Sequence, residues 1–148
     1  MAQKDLEKAK KDGWIDAWFA IEAMAIDASL VESSLRQHVE RLSHVDSVIV
    51  YERDFKKVEP VKAQLKNIPP GKTAHSQVVN VKLFVKDLYT LINVILVYGP
   101  SAVEILGPKE KKIELSEIQS LANVVGGIVH EFAAQGIGGI VISSAQKN

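Results

Sequence analysis

One three-part plan is written twice in this chain. Residues 19–26, 27–42 and 47–53 form the first copy; residues 78–85, 87–98 and 102–106 form the second. In each, an apolar run, a stretch with helical spacing and a second apolar run follow one another, which reads as strand, helix, strand. Alternation puts Val79, Val81, Leu83 and Val85 on one side of a strand and Asn80, Lys82 and Phe84 on the other. Val48 and Val50 likewise oppose Ile49, Tyr51 and Arg53, and Val103 and Ile105 oppose Glu104. Two such units in tandem predict an α+β protein with a ferredoxin-like, four-stranded antiparallel sheet. Right-handed crossovers then place both helices on the same face.

The helix signals are local. Val31, Leu35, Val39 and Leu42 recur along one helical face, and Ser29 with Glu32 has capping-box spacing, which predicts a helix start at Ser29. Asp87 can cap the second helix, whose inner stripe is Leu88, Leu91, Ile95 and Tyr98, and Gly99 and Pro100 end it. A rival reading exists for the first strand. Trp14, Trp18, Ile21, Ala25, Ala28, Leu35, Val39 and Leu42 fit a heptad, so one long N-terminal helix packed on a smaller α+β domain is the alternative. The capping spacing and the repeat favour the strand.

As a single domain, the chain divides into a polar segment (1–13), the first unit (18–54), a Lys/Pro-rich connection (55–76), the second unit (77–107) and an added C-terminal helix with a short strand (115–143). The connection reads as a loop or extended arm with one short helical piece. Ser116 and Gln119 have capping-box spacing before a stripe of Ile118, Leu121, Val125, Ile128 and Phe132, and Gly136 closes that helix. Residues 139–143 could add a last strand.

With 148 residues, 18 basic against 18 acidic side chains and no cysteine, the composition excludes thiol nucleophiles, thiolate metal sites and redox motifs. Zero net charge removes the electrostatic case for non-specific nucleic-acid binding. The charges are unevenly spread: residues 13–54 carry a net −5, from eight acids and three arginines, while residues 55–75 carry a net +4, from five lysines and one glutamate. Asp16, Glu22 and Asp27 interrupt the apolar stretch 14–31, so no bilayer span is expected there, and nothing at the N-terminus reads as a secretory signal. A cytoplasmic location without membrane partners is the expectation.

Catalytic patterns are absent from the sequence. His38 and His44 are six apart rather than four, and His130 stands beside Glu131 on adjacent helix positions. No nucleophile elbow occurs, and the glycines at 136, 138 and 139 follow a helix instead of opening one, where a phosphate would bind. No catalytic residue, metal or cofactor is therefore expected. Gly126 and Gly127 inside the last helix cost about 1 kcal/mol each relative to alanine, and close approach of another backbone or of a ligand is the expected return.

With both helices on one side, the other face of the sheet collects Ile49, Tyr51, Arg53, Asn80, Lys82, Phe84 and Glu104, and Glu22 and Met24 could join them. Such a half-apolar surface suits a covering helix or a second subunit, and its aromatic and basic residues could instead stack and neutralise single-stranded RNA.

Residues 78–108 resemble the ferredoxin-like C-terminal extension of WYL-type regulators. The match is carried by Tyr98 and Gly99 at a helix end, the strand Val103, Glu104, Ile105 and Leu106, and Pro108. Such modules, like the related ACT-type domains, sense small ligands and make oligomer contacts. The resemblance implies a ligand or interface site at Tyr98, Gly99 and Ser101. No WYL domain or DNA-reading helix-turn-helix is recognisable. The whole chain is also similar to small uncharacterised archaeal proteins. The resulting expectation is a non-enzymatic, homo-oligomeric binding or regulatory module with a small-molecule ligand. An RNA-contacting module and an enzyme using His38 and His130 are the alternatives.

Overall fold

A computed structural model describes residues 3–61, 69 and 71–136. The elements run α1 (Gln3–Lys11), β1 (Ile15–Ala25), α2 (Ala28–Ser43), β2 (Val48–Phe55), β3 (Glu59–Pro60), β4 (His75–Val85), α3 (Leu88–Tyr98), β5 (Ala102–Gly107) and α4 (Leu115–Ala134). They fall into two compact units, residues 1–111 and residues 112–148.

The first unit is built on an antiparallel sheet in the order β2-β4-β1-β5, with β3 paired to the start of β4. The opening strands of the two repeats are thus the central pair, and the closing strands lie outside them, the ferredoxin-like arrangement that a duplicated strand–helix–strand unit predicts. β1 and β4 pair along their whole length, from Ile15 opposite Val85 to Ala25 opposite His75. The long-helix alternative is overturned. Ile15, Ala17, Phe19 and Ile21 are buried at every second position, and a period of two is a strand's. The alanines that favour helix lose to this pairing.

One hydrophobic core lies between the sheet and α2 and α3. It joins Ala17, Phe19, Val79, Val81, Leu83 and Val85 of the sheet to Leu35, Val39 and Leu42 of α2 and Leu91 and Val94 of α3. Burying each large side chain in that set contributes about 1.5–3 kcal/mol.

The caps show which side chains start and stop the helices. The Asp87 side chain accepts from the Thr90 amide at 2.8 Å and opens α3, as expected. Gly99 adopts φ 58°, a left-handed value that glycine takes without penalty, and donates to the Ile95 carbonyl. α2 corrects the expectation. Its cap is Asp27, whose Oδ1 accepts from the Ser29 amide at 2.8 Å and from the Ser29 hydroxyl at 2.7 Å. Ser29 therefore serves as donor from the second position of the helix, and those bonds hold the Asp27 carboxyl below its usual range. The expected capping box of α4 also fails to form: its cap is Glu114, without a side-chain bond.

The polar segment before the sheet is helical. α1 lies against β4, and its Ala9 is buried. Past β2 the connection forms the short β3, while its central residues 62–68 lie outside the described residues, as does the expected strand at 139–143.

In the second unit α4 runs twenty residues, and Gly136 follows it at φ 78°. Gly126 and Gly127 are not close-approach positions. A Cβ built at either meets nothing within 4 Å, so the expected tight packing is absent among the described residues.

Candidate functional site

Three surfaces of the first unit concern function: the sheet face turned away from α2 and α3, the cleft where α2 meets the end of α3, and the outer edge at β5.

The sheet face gathers most of the expected residues. Ile49 stands opposite Phe84, Phe84 opposite Asp16, and Glu104 opposite Trp18, which in turn faces Lys82. Tyr51 donates to Asp16 Oδ1 at 2.7 Å, and its ring lies 5.1 Å from that of Phe84. Burial, then the bond to Asp16 and the nearby carboxylate charges, push the Tyr51 phenol well above its usual range. Asn80 sits on the same face by its pairing with Ala20. α1 covers one end of this face. Its Asp5, Lys8, Ala9 and Asp12 line a cleft of about 350 Å³ with Trp14 and Ile49.

Arg53 is not there. The register of β2 on β4 shifts between Val50 and Glu52, so Tyr51 is an inserted residue and Arg53 pairs with Val81 on the helix side. A bulge of this kind turns every following side chain to the opposite face. Arg53 instead reaches α2, where its Nη1 lies 2.8 Å from Glu40 Oε2 and holds that carboxyl below its usual range. Phe55 follows it to the same side, under the Arg36 guanidinium at 4.3 Å. Lys82 remains on the open face but pairs with Glu52 at 3.4 Å.

The Tyr98 turn forms one wall of a cleft of about 330 Å³, with Ile21, Glu22 and Ala23 of β1 and Ser34, Leu35, His38 and Arg41 of α2. A second hollow of about 540 Å³ adjoins it through Arg41 and Tyr98 and adds Gln37, Glu40 and His44. His38 Nε2 donates to the Tyr98 carbonyl at 2.9 Å, since a carbonyl can only accept, and the two rings meet edge-on at 5.0 Å. Ser101 fixes the other side of the turn, its amide and hydroxyl both donating to the Ala20 carbonyl, at 2.8 and 3.2 Å. Tyr98 therefore belongs to a cleft, whereas Gly99 and Ser101 shape the turn behind it. Arg41 is the residue that sequence reasoning missed. Ser34, His38 and Arg41 recur at helical spacing, a polar stripe beside the apolar one, and that was the available signal.

At β5 the sheet ends in apolar side chains. Val103 and Ile105 share the helix side with Phe19 and Ala17, yet they are 40% and 51% exposed, and Leu106 is 44% exposed. α3 packs over β1 and β4, and its own Leu96 and Val97 are exposed.

Among the described residues no group of three histidine, cysteine, aspartate or glutamate side chains could hold a metal ion. No helix among them is long and apolar enough to cross a membrane. His44 bonds within its own helix, to the Glu40 carbonyl at 2.8 Å, and His75 to the Ile26 carbonyl at 2.9 Å.

The fold and its surfaces define a ferredoxin-like α+β protein extended at both ends by a helix. The chain belongs to the MJ0538 family, whose model matches residues 16–145. No curated protein and no solved structure matches it.

Proposed function

We propose that this protein is a non-enzymatic, self-associating binding module. Copies join along β5, and each copy offers a small-molecule cleft beside Tyr98; a cytoplasmic location is part of the reading. The observation that carries it is the exposed edge strand. Sheet edges are ordinarily blunted by charge, proline or a bulge, because an open row of backbone donors and acceptors invites another strand. β5 has one charge, Glu104, on the face opposite Val103 and Ile105, and one bulge, at Leu106 near its end, so the regular edge left open is the stretch from Ala102 to Ile105.

A twofold partner pairs this strand with itself, so residues opposite one another must share a face. A register centred on Glu104 would oppose two like charges. Centring on Val103 or Ile105 places apolar side chains together and brings the outer faces of two α3 helices alongside. The likeness of residues 78–108 to WYL-type extensions and ACT-type modules supports the same reading.

Light scattering on the eluting chain is the test. Association that Ile105→Lys abolishes supports the proposal; a monomer at all concentrations removes it. The RNA alternative is weaker, because Arg53 points to the other side of the sheet and Lys82 is paired.

A further inference from the structure

We infer that the cleft between α2 and Tyr98 takes a small organic monoanion, a single carboxylate on an apolar body. The inference deepens the ligand-binding part of the proposal above and is independent of how copies join.

The cleft has one cation without a partner. Among the described residues Arg41 makes no ion pair, whereas Arg36 pairs with Glu32 at 3.4 Å and Arg53 with Glu40 at 2.8 Å. The acids lining the two hollows leave Arg41 unneutralised. Glu40 is engaged by Arg53 and lies 3.6 Å from His44, and Glu22 forms no ion pair with Arg41. A guanidinium standing in a concavity presents a planar fork of donors that matches a carboxylate in two parallel bonds.

The rest of the cleft sets the other end of the ligand. Ala23 and the Tyr98 ring supply the accessible apolar surface, over a floor formed by the buried Ile21 and Leu35, the combination that small-molecule sites use around a few placed polar groups. The bond from His38 to the Tyr98 carbonyl fixes both walls before any ligand arrives, which lowers the ordering cost of binding. Glu22 sets the charge. It lines the same cleft as Arg41 and has no ion pair among the described residues, so each negative charge beyond the one that Arg41 takes adds repulsion, and a single carboxylate suits the cleft better than a doubly charged phosphate.

The test is an amide NMR titration of the full chain with benzoate and, separately, with inorganic phosphate. Benzoate should shift the resonances of Ser34, His38, Arg41 and Tyr98 saturably, and Arg41→Gln should weaken that binding about tenfold or more. Arg41→Lys, which keeps the charge and loses the fork, should fall between them. Arg41 is exposed, so the remaining spectrum reports an unchanged fold. No saturable shift up to about 10 mM benzoate, an unaffected Arg41→Gln variant, or phosphate binding as tight as benzoate would each overturn the inference. Repeating the titration on Ile105→Lys separates the two ideas: unchanged binding there supports a cleft complete within one copy, and lost binding refutes that placement.

Discussion

β4 and β5 are both alternating apolar strands of the second repeat, yet Val79, Val81, Leu83 and Val85 are fully buried, while Val103 and Ile105 stand 40% and 51% exposed on the same face. Their sequences do not explain the difference; their places in the sheet do. β4 is central, with β1 and β2 on either side and two helices above it. β5 is the outermost strand, beyond the reach of α3's inner stripe. Alternation says which way a side chain points, and strand order says whether anything waits there to cover it. An edge whose apolar residues stand half exposed is where a partner would stabilise most.

The comparison can be broken by matched substitutions. Leu83→Ala should cost about 2–5 kcal/mol in urea unfolding, through lost transfer energy and the cavity left behind. Ile105→Ala, measured on the dilute chain, should cost under about 1 kcal/mol, because its side chain is already half in water. Equal losses would mean that β5 is covered within one copy.

Tyr51→Phe sharpens the contrast between the two faces of β2. It leaves the Asp16 carboxylate without its phenol donor and should cost about 1–2 kcal/mol. The raised Tyr51 pKa gives the sign of the pH effect. The neutral phenol's contribution is full below about pH 10, where the unfolded phenol titrates, and is lost as pH rises toward the folded value. Thermal melts across the alkaline range should show the wild type declining more steeply than Tyr51→Phe.

At the start of α3, Asp87→Ala should cost about 1 kcal/mol by removing the bond to the Thr90 amide, readable in the same urea curves. The smallest effect belongs to Glu40. Its carboxyl is held low by Arg53, so the contribution is present above the unfolded glutamate pKa of about 4.3 and fades as pH falls through the folded value. Glu40→Gln should remove that acid-side dependence in melts and leave neutral-pH stability nearly unchanged, as an exposed pair dictates.

Much of this fold was legible because period and punctuation agree. Val79 to Val85 alternate, Asp87 and Gly99 bracket α3, and the repeat sets the strand order. The failures have physical reasons. Nothing in the letters of β2 marks Tyr51 as an inserted residue, so Arg53 was assigned to the wrong face. Asp27 and Ser29 are both good caps, and only geometry shows Ser29 donating to Asp27. The glycines of α4 suggested a close neighbour that the described residues do not supply. Arg41 escaped notice because a cleft belongs to three elements at once, and its partner surfaces lie on β1 and α3, far away in sequence.

The central claim is that β5 is an assembly edge, and light scattering on the full chain against Ile105→Lys addresses it most directly. The account predicts a wild-type mass of at least twice 16.2 kDa at high concentration and a variant mass of 16.2 kDa with an unaltered fold. A wild type that stays at 16.2 kDa however concentrated, or a variant that assembles as the wild type does, would contradict it.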